Sequence, residues 1–343
     1  MSKNQLFLIT YCLILIGTVF ISTASLFEAQ TNFDNQYFFL QKQLVWIAIG
    51  TIFYLIMANI NIDKIRRLTP LIYLISIISL TLVYVPGLGH TVFGAKRWLN
   101  LGPLRFQPSE IFKIASLLFF SHLFSKPDKV NLKNLALLAV PPLALILFQP
   151  SLSTTILSAS IIFSIYFFSK SNLKDILLII LVSCIGLFLA IISSPYRLDR
   201  FNQNYHSQQL TISLASGTLF GKGIGNSIAK FSFVPQISTD SILAIIGEEI
   251  GFVGLGFLFF VFYLLIKNII NIAHKAKNDF QQLFSIGLAT WIFVQSAINI
   301  SAVTGLIPLT GVSLPFISYG GSSLLSLLLA VGLLENIYRQ AVK

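Results

Sequence analysis

DILLIILVSCIGLFLAIISS, residues 175–194, opens on one charge, Asp175, and carries no other ionisable side chain except the weakly acidic Cys184. A helix rises about 1.5 Å per residue, so a stretch of this length covers a hydrocarbon core of roughly 30 Å. There is no polar stripe for a water-facing side. The segment therefore reads as a membrane-spanning helix and not as the half-buried helix of a soluble domain.

The same pattern recurs outward from it in both directions. Ten stretches qualify, at about 5–27, 44–61, 69–86, 109–125, 134–148, 151–169, 175–194, 242–269, 281–303 and 320–338. The fifth is short and contains Pro141 and Pro142. Composition agrees: 55% of the 343 residues are hydrophobic and only 10% charged, against roughly 25% charged in soluble domains. The expected fold is an all-α polytopic membrane protein, one domain over 1–343. The first segment is long and lacks a small-x-small cleavage site, so it is expected to stay as a helix. Cys12 and Cys184 both fall inside predicted spans, where a disulfide framework is not expected.

A net charge of +11 invites a nucleic-acid reading, yet the cations form no stripe or recognised binding motif, so no nucleic-acid partner is expected. The positive-inside rule accounts for them. With the N-terminus cytoplasmic, one membrane side holds Lys3, Lys64, Arg66, Arg67, Lys126, Lys129, Lys133, Lys170, Lys174, Lys267, Lys275, Lys277, Arg339 and Lys343, of 23 basic residues in all. Both termini are then cytoplasmic. Two long non-cytoplasmic loops remain, 87–108 and 195–241, and loops of that length are commonly functional. In the second, Gly217, Gly221, Gly223 and Gly225 punctuate apolar residues, as expected of a chain that turns sharply and packs against the membrane domain. Gly320 and Gly321 are expected to serve the backbone at the start of the last span.

Ionisable groups at membrane depth are costly and mark candidate sites. Glu110 and Lys113 lie three apart at the start of the fourth span, on one helical face, and Glu248 and Glu249 sit in the eighth. Glu110 and Lys113 read either as an ion pair holding a helix near the interface or as part of a polar cavity, open to the outer face, for an anionic head group. GAKRWLNLGPLRFQPSE, 94–110, adds Lys96, Arg97, Arg105 and Trp98, and Ser109 is expected to cap the fourth span after Pro108. Three cations on the non-cytoplasmic side run against the positive-inside bias. They read as diphosphate ligands, because guanidinium groups bind phosphate oxygens in bidentate fashion, or as snorkelling contacts to ordinary lipid phosphates.

GAKRWLNLGPLRFQPSEIFKIA (94–115), LFGKGIGNSIAKFSFVPQISTDSILAIIGEEIGFVG (219–254) and TGLIPLTGVSLPFISYGGSS (304–323) resemble, in order and spacing, the signatures of the SEDS family (shape, elongation, division and sporulation), to which RodA and FtsW belong. QKQLVW, 41–46, resembles the start of the family's second span. The resemblance implies about ten spans in the bacterial cytoplasmic membrane. It also implies polymerisation of lipid II into glycan strands, beside a class B penicillin-binding protein that crosslinks them. In the family an essential aspartate lies in the long outer loop, in a pattern like D-P-x-G-x-G-Y-Q-x-x-Q-S. Counting back from Leu219 without gaps places Asp199 on the aspartate, Tyr205 on the tyrosine, His206 on the first glutamine and Gln209 on the second. Arg200, Asn202 and Asn204 depart from the proline and glycines.

The resemblance thus makes Asp199 the catalytic candidate. Arg97, Lys113, Glu110, Gln107, Lys96, Trp98, Gln209 and Glu249 form the candidate substrate-binding set, with room for a divalent cation, magnesium or manganese. At QPSLST, 149–154, the family usually has Q-P-D-x-G-T, so Ser151 stands in place of a carboxylate and Ser153 in place of a glycine. Ser238 replaces a usual histidine. These departures keep two other functions open: a scaffold that binds a transpeptidase without catalysis, and a flippase for the lipid-linked precursor.

Overall fold

A computed structural model of the chain describes residues 5–92, 95–101, 104–169, 171–193, 204–231 and 238–342. Its helices are α1 (Gln5–Ala24), α2 (Leu26–Phe33), α3 (Phe38–Asn59), α4 (Ile62–Leu82), α5 (Pro108–Phe124), α6 (Leu132–Phe148), α7 (Leu152–Phe168), α8 (Leu173–Ile192), α9 (Asn204–Ser216), α10 (Ile242–His274), α11 (Asp279–Val303) and α12 (Gly321–Val342). Seven of them are long and apolar enough to cross a membrane, and Leu132–Phe148 and Leu152–Phe168 are shorter apolar helices. The fold is all-α and polytopic. Each of the ten expected stretches coincides with a helix, with ends displaced by a few residues. Cys12 and Cys184 are free thiols on α1 and α8.

The first long loop holds an antiparallel sheet, β1 (Gly89–Val92), β2 (Ala95–Leu101) and β3 (Leu104–Phe106), in the order β1-β2-β3. Successive side chains of a strand point to opposite faces. Lys96 and Trp98 therefore share one face of β2, while Arg97 shares the other with Leu99, which is buried.

The chain forms two compact units, one of Met1–Trp46, Asn172–Leu265 and Gln295–Gly321, the other of Ile47–Ser171, Ile266–Val294 and Ser322–Lys343. In the second unit, α6 keeps Pro141 and Pro142 inside the helix. Pro142 has no N–H to give to the carbonyl of Leu138 four residues back, and in hydrocarbon that carbonyl cannot turn to water. The Tyr73 hydroxyl of α4 donates to it instead, at 2.8 Å. Gln149, just past α6, donates from its side chain to the Leu80 carbonyl at 3.1 Å, and Tyr84 donates to the Leu145 carbonyl at 2.8 Å. Three side-chain bonds thus tie α4 and the residues after it to α6, and the first of them serves a carbonyl that proline leaves without its helical donor.

In the first unit, α10 is broken at Gly251, whose φ of 68° and ψ of −172° lie outside the helical region. The glycine-rich loop after α9 fills the break. The Phe252 and Val253 amides donate to the carbonyls of Thr218 and Leu219, both at 3.0 Å. The amides of Lys222 and Gly223 donate in turn to the carbonyls of Glu248 and Glu249, again at 3.0 Å. A side chain would not fit there: a Cβ on Gly221 would lie 2.2 Å from the Glu249 carbonyl oxygen, and one on Gly251 2.3 Å from the Gly221 nitrogen. Gly221, Gly223 and Gly225 take positive φ, as their spacing suggested. The start of the last span is likewise tight, since a Cβ on Gly321 would lie 2.1 Å from the Trp46 ring.

Candidate functional site

α5 begins one residue earlier than the sequence suggested. Pro108 occupies the first helical turn after Gln107, which is extended and makes no side-chain cap bond. Proline suits that position because its φ is already helical and its missing N–H is not needed there. Ser109 is therefore not the cap but a buried residue of the first turn. The Gln107 amide donates to Ser322 Oγ of α12 at 3.3 Å.

One turn on, Glu110 and Lys113 face the interior of the second unit. Lys113 is 1% exposed and Glu110 7%, and Lys113 Nζ lies 2.8 Å from Glu110 Oε1. Ser326 of α12 donates to Glu110 Oε2 at 3.3 Å. The ammonium also stands 5.0 Å from the centroid of the Trp291 ring of α11, which is fully buried. Two charges in such a place lose their hydration, and their mutual contact, the flanking hydroxyl and the ring help to offset that loss. Glu110 also sits in the first turn of α5, where the helix dipole favours an anion.

Arg97 reaches from β2 to the junction of α6 and α7. Its Nε donates to the Gln149 carbonyl at 3.0 Å, and an Nη donates to the Pro150 carbonyl. A cation on carbonyls that end a helix is favoured by the helix dipole. Beside it, Ser151 is buried and bonds Thr154 Oγ1 at 2.7 Å. Lys96 is exposed and Trp98 half-buried. In the first unit, Gln209 is half-buried on α9.

Glu249, 1% exposed, accepts from the Ser227 amide at 3.4 Å, and its Oε2 is buried with no hydrogen-bond partner among the described residues. Its neighbour Glu248 is the better connected. It accepts from Lys222 Nζ at 2.7 Å, Ser227 Oγ at 2.6 Å, Ser213 Oγ at 3.1 Å, and the amides of Ile228 and Ala229 at 3.2 and 3.3 Å. The carboxylate that the sequence reading left out of the binding set thus fastens the glycine-rich loop to α9 and α10.

Asp199, with Arg197 and Arg200, lies outside the described residues. Sequence reasoning also missed Trp291, Ser322 and Ser326. The serines carried a signal, being four apart on one face at the start of a span. Trp291 stood in mid-span, away from the interface where tryptophan is common.

No group of three or more His, Cys, Asp or Glu comes together among the described residues, and Ser151 offers a hydroxyl where a carboxylate ligand was expected. Hard divalent cations are held mainly by carboxylate oxygens. The described residues thus form no all-protein metal cage, whereas magnesium is commonly held by one or two carboxylates together with substrate phosphates.

A family model described as cell cycle protein, covering FtsW, RodA and SpoVE, matches residues 4–343. The chain is 33% identical to stage V sporulation protein E of Bacillus subtilis (strain 168) over 97% of its own length and 96% of that protein's. It is 32% identical to the probable peptidoglycan glycosyltransferase FtsW of Buchnera aphidicola subsp. Baizongia pistaciae (strain Bp), over 96% and 91%. The Thermus thermophilus rod shape determining protein RodA has the same fold, with a TM-score of 0.76, 25% identity, and coverage of 99% of this chain and 97% of that one. So has a chain solved in a study of how a peptidoglycan synthase complex coordinates polymerization and crosslinking, with a TM-score of 0.81, 24% identity and 98% coverage of both chains.

Proposed function

The chain belongs to the FtsW, RodA and SpoVE family of the SEDS proteins, and on that footing we propose how it works. It is a multi-pass protein of the bacterial cytoplasmic membrane and a peptidoglycan glycosyltransferase. Its substrate, in this reading, is lipid II, and its partner a class B penicillin-binding protein. The observation that carries the assignment to this site is the buried pair of Glu110 and Lys113 in the first turn of α5, an expensive placement for two charges unless a cationic pocket is required.

In the reaction the 4-hydroxyl of one lipid-linked disaccharide attacks the anomeric carbon of the growing chain. A new glycosidic C–O bond forms, the bond from that carbon to the diphosphate oxygen breaks, and undecaprenyl diphosphate leaves with the electron pair. The hydroxyl proton passes to a carboxylate within hydrogen-bond reach, and Asp199 takes that role. Lys113 is the cation set in advance for the charge that develops on the diphosphate, with Glu110 and Trp291 holding the ammonium in place. The same reading counts Arg97, Gln107, Lys96, Trp98, Gln209 and Glu249 as residues that bind substrate. One base and no covalent intermediate give inversion at the anomeric carbon.

Asp199→Asn is the test. It retains size and most hydrogen bonding but cannot take the proton, so polymer formation from purified protein and lipid II should fall by roughly 10²–10⁴-fold while lipid II binding persists. Parent-like polymerisation by this variant would end the assignment. Ser151 favours a second reading, a scaffold without catalysis, because it removes a carboxylate from the pocket. Failure of the parent protein itself to polymerise, with transpeptidase binding intact, would establish that reading. Transfer of a fluorescent lipid across liposomes without polymer would instead indicate a flippase.

A further inference from the structure

We propose that the loop after α9 is set into the bilayer, with Leu219, Phe220, Ile224 and Ile228 against lipid acyl chains at the border of the hydrocarbon. The four side chains are 59%, 80%, 60% and 58% exposed. An apolar cluster facing water would be a liability in a protein that has to stay unaggregated, so its neighbours decide what covers it.

Those neighbours are lipid-facing. The bonds from the Phe252 and Val253 amides to the Thr218 and Leu219 carbonyls fix the loop at the level of those two residues of α10. Phe252 and Val253 are themselves 72% and 55% exposed, and they open the uncharged run that extends from Ile250 to Ile266, between Glu249 and Lys267. That run is the part of α10 with the length and composition to meet hydrocarbon. Leu219 and Phe220 lie beside that run, held there by the backbone bonds to Thr218 and Leu219.

Irregular backbone enters a bilayer only if its polar groups are satisfied by protein. This loop meets the condition in part: the amides of Leu219, Phe220, Ile224 and Gly225 take no partner among the described residues, which places the loop at the border, where water reaches them, and no deeper. The Lys222 and Gly223 amides bond the broken end of α10, the Gly221 and Asn226 amides bond carbonyls within the loop, and the Ser227, Ile228 and Ala229 amides bond the carboxylates of Glu249 and Glu248. The charges are paired or bonded as well. Lys222 pairs with Glu248 at 2.7 Å, and Lys230 donates to the Gly225 carbonyl with its ammonium 5.4 Å from the Phe231 ring centroid. Outward the loop turns four large apolar side chains, with Thr218, Lys222 and Asn226 as its exposed polar ones.

The test uses the full chain in lipid nanodiscs with Cys12→Ala and Cys184→Ala as background. Single variants Phe220→Cys, Ile224→Cys, Phe252→Cys and Lys129→Cys each carry a nitroxide, and its collisions with molecular oxygen and with a water-soluble nickel chelate are measured. Lys129, with a 51% exposed side chain in a turn between spans, is the water reference, and Phe252 the lipid reference. Labels at 220 and 224 should match 252, high for oxygen and low for nickel. A match to 129 at both positions would overturn the proposal, and so would low collision with both reagents, which would mean that protein covers the loop. Two separate positions keep the result readable if one variant fails to fold.

Discussion

Lys113 and Glu110 act as one unit. Removing one partner of a buried pair leaves a bare charge, so Lys113→Met alone should cost about 3–5 kcal/mol, read as a lower unfolding temperature in detergent. Adding Glu110→Gln removes the bare charge, and the double variant should recover most of that stability. Neither variant should polymerise lipid II, because the cation is missing from both. Recovered stability together with recovered activity would exclude Lys113 from the pocket. Both residues were legible in the sequence for one reason: a charge in an apolar run has no cheap explanation. The roles of Trp291, Ser322 and Ser326 were not, because an aromatic ring and two hydroxyls in membrane helices have many cheap explanations, and only the fold shows that Trp291 and Ser326 meet the ion pair while Ser322 takes the Gln107 amide.

Elements hold together here by lending hydrogen bonds to one another. Tyr73 supplies α6 with the donor that Pro142 lacks, so Tyr73→Phe should leave the Leu138 carbonyl unsatisfied and lower stability by about 1–3 kcal/mol. Thermal unfolding of the purified variant measures it; a change of a few tenths would mean that lipid-side water reaches that carbonyl. The break in α10 is the same kind of exchange between backbones. Gly251→Ala puts a Cβ on a residue with φ of 68° and against the Gly221 nitrogen, so it should cost at least about 1–3 kcal/mol. Faster protease cleavage in the 217–231 loop would show that the loop has come away.

The spans themselves could be read from the sequence because hydrocarbon demands length and apolarity and little else. The strands within 87–108 could not, since three short strands leave no run of alternation long enough to notice. Nor did the run of polar residues at 204–209 announce α9.

At the scale of the whole molecule, the distribution of basic residues sets orientation. A fluorescent protein fused after Lys343 should mature in the cytoplasm, and a cysteine placed at Leu88 should react with a membrane-impermeant maleimide in intact spheroplasts. The opposite pair of results would invert the topology and move the Glu110 and Lys113 end of α5 to the wrong side of the membrane for chemistry on an exported substrate.

The insertion of one segment into the gap of another also has a consequence in time. Translation runs from the N-terminus, so residues 217–223 leave the ribosome before any part of the helix they complete, and four backbone bonds wait for partners that begin about thirty residues later. Until Phe252 and Val253 emerge, the loop has nothing to rest on. Once they do, the translocon has to release a helix that is not finished by its own sequence. Biogenesis of this crossing is therefore a joint event between two parts of the chain, and the cell cannot insert the later part first and fit the earlier one afterwards.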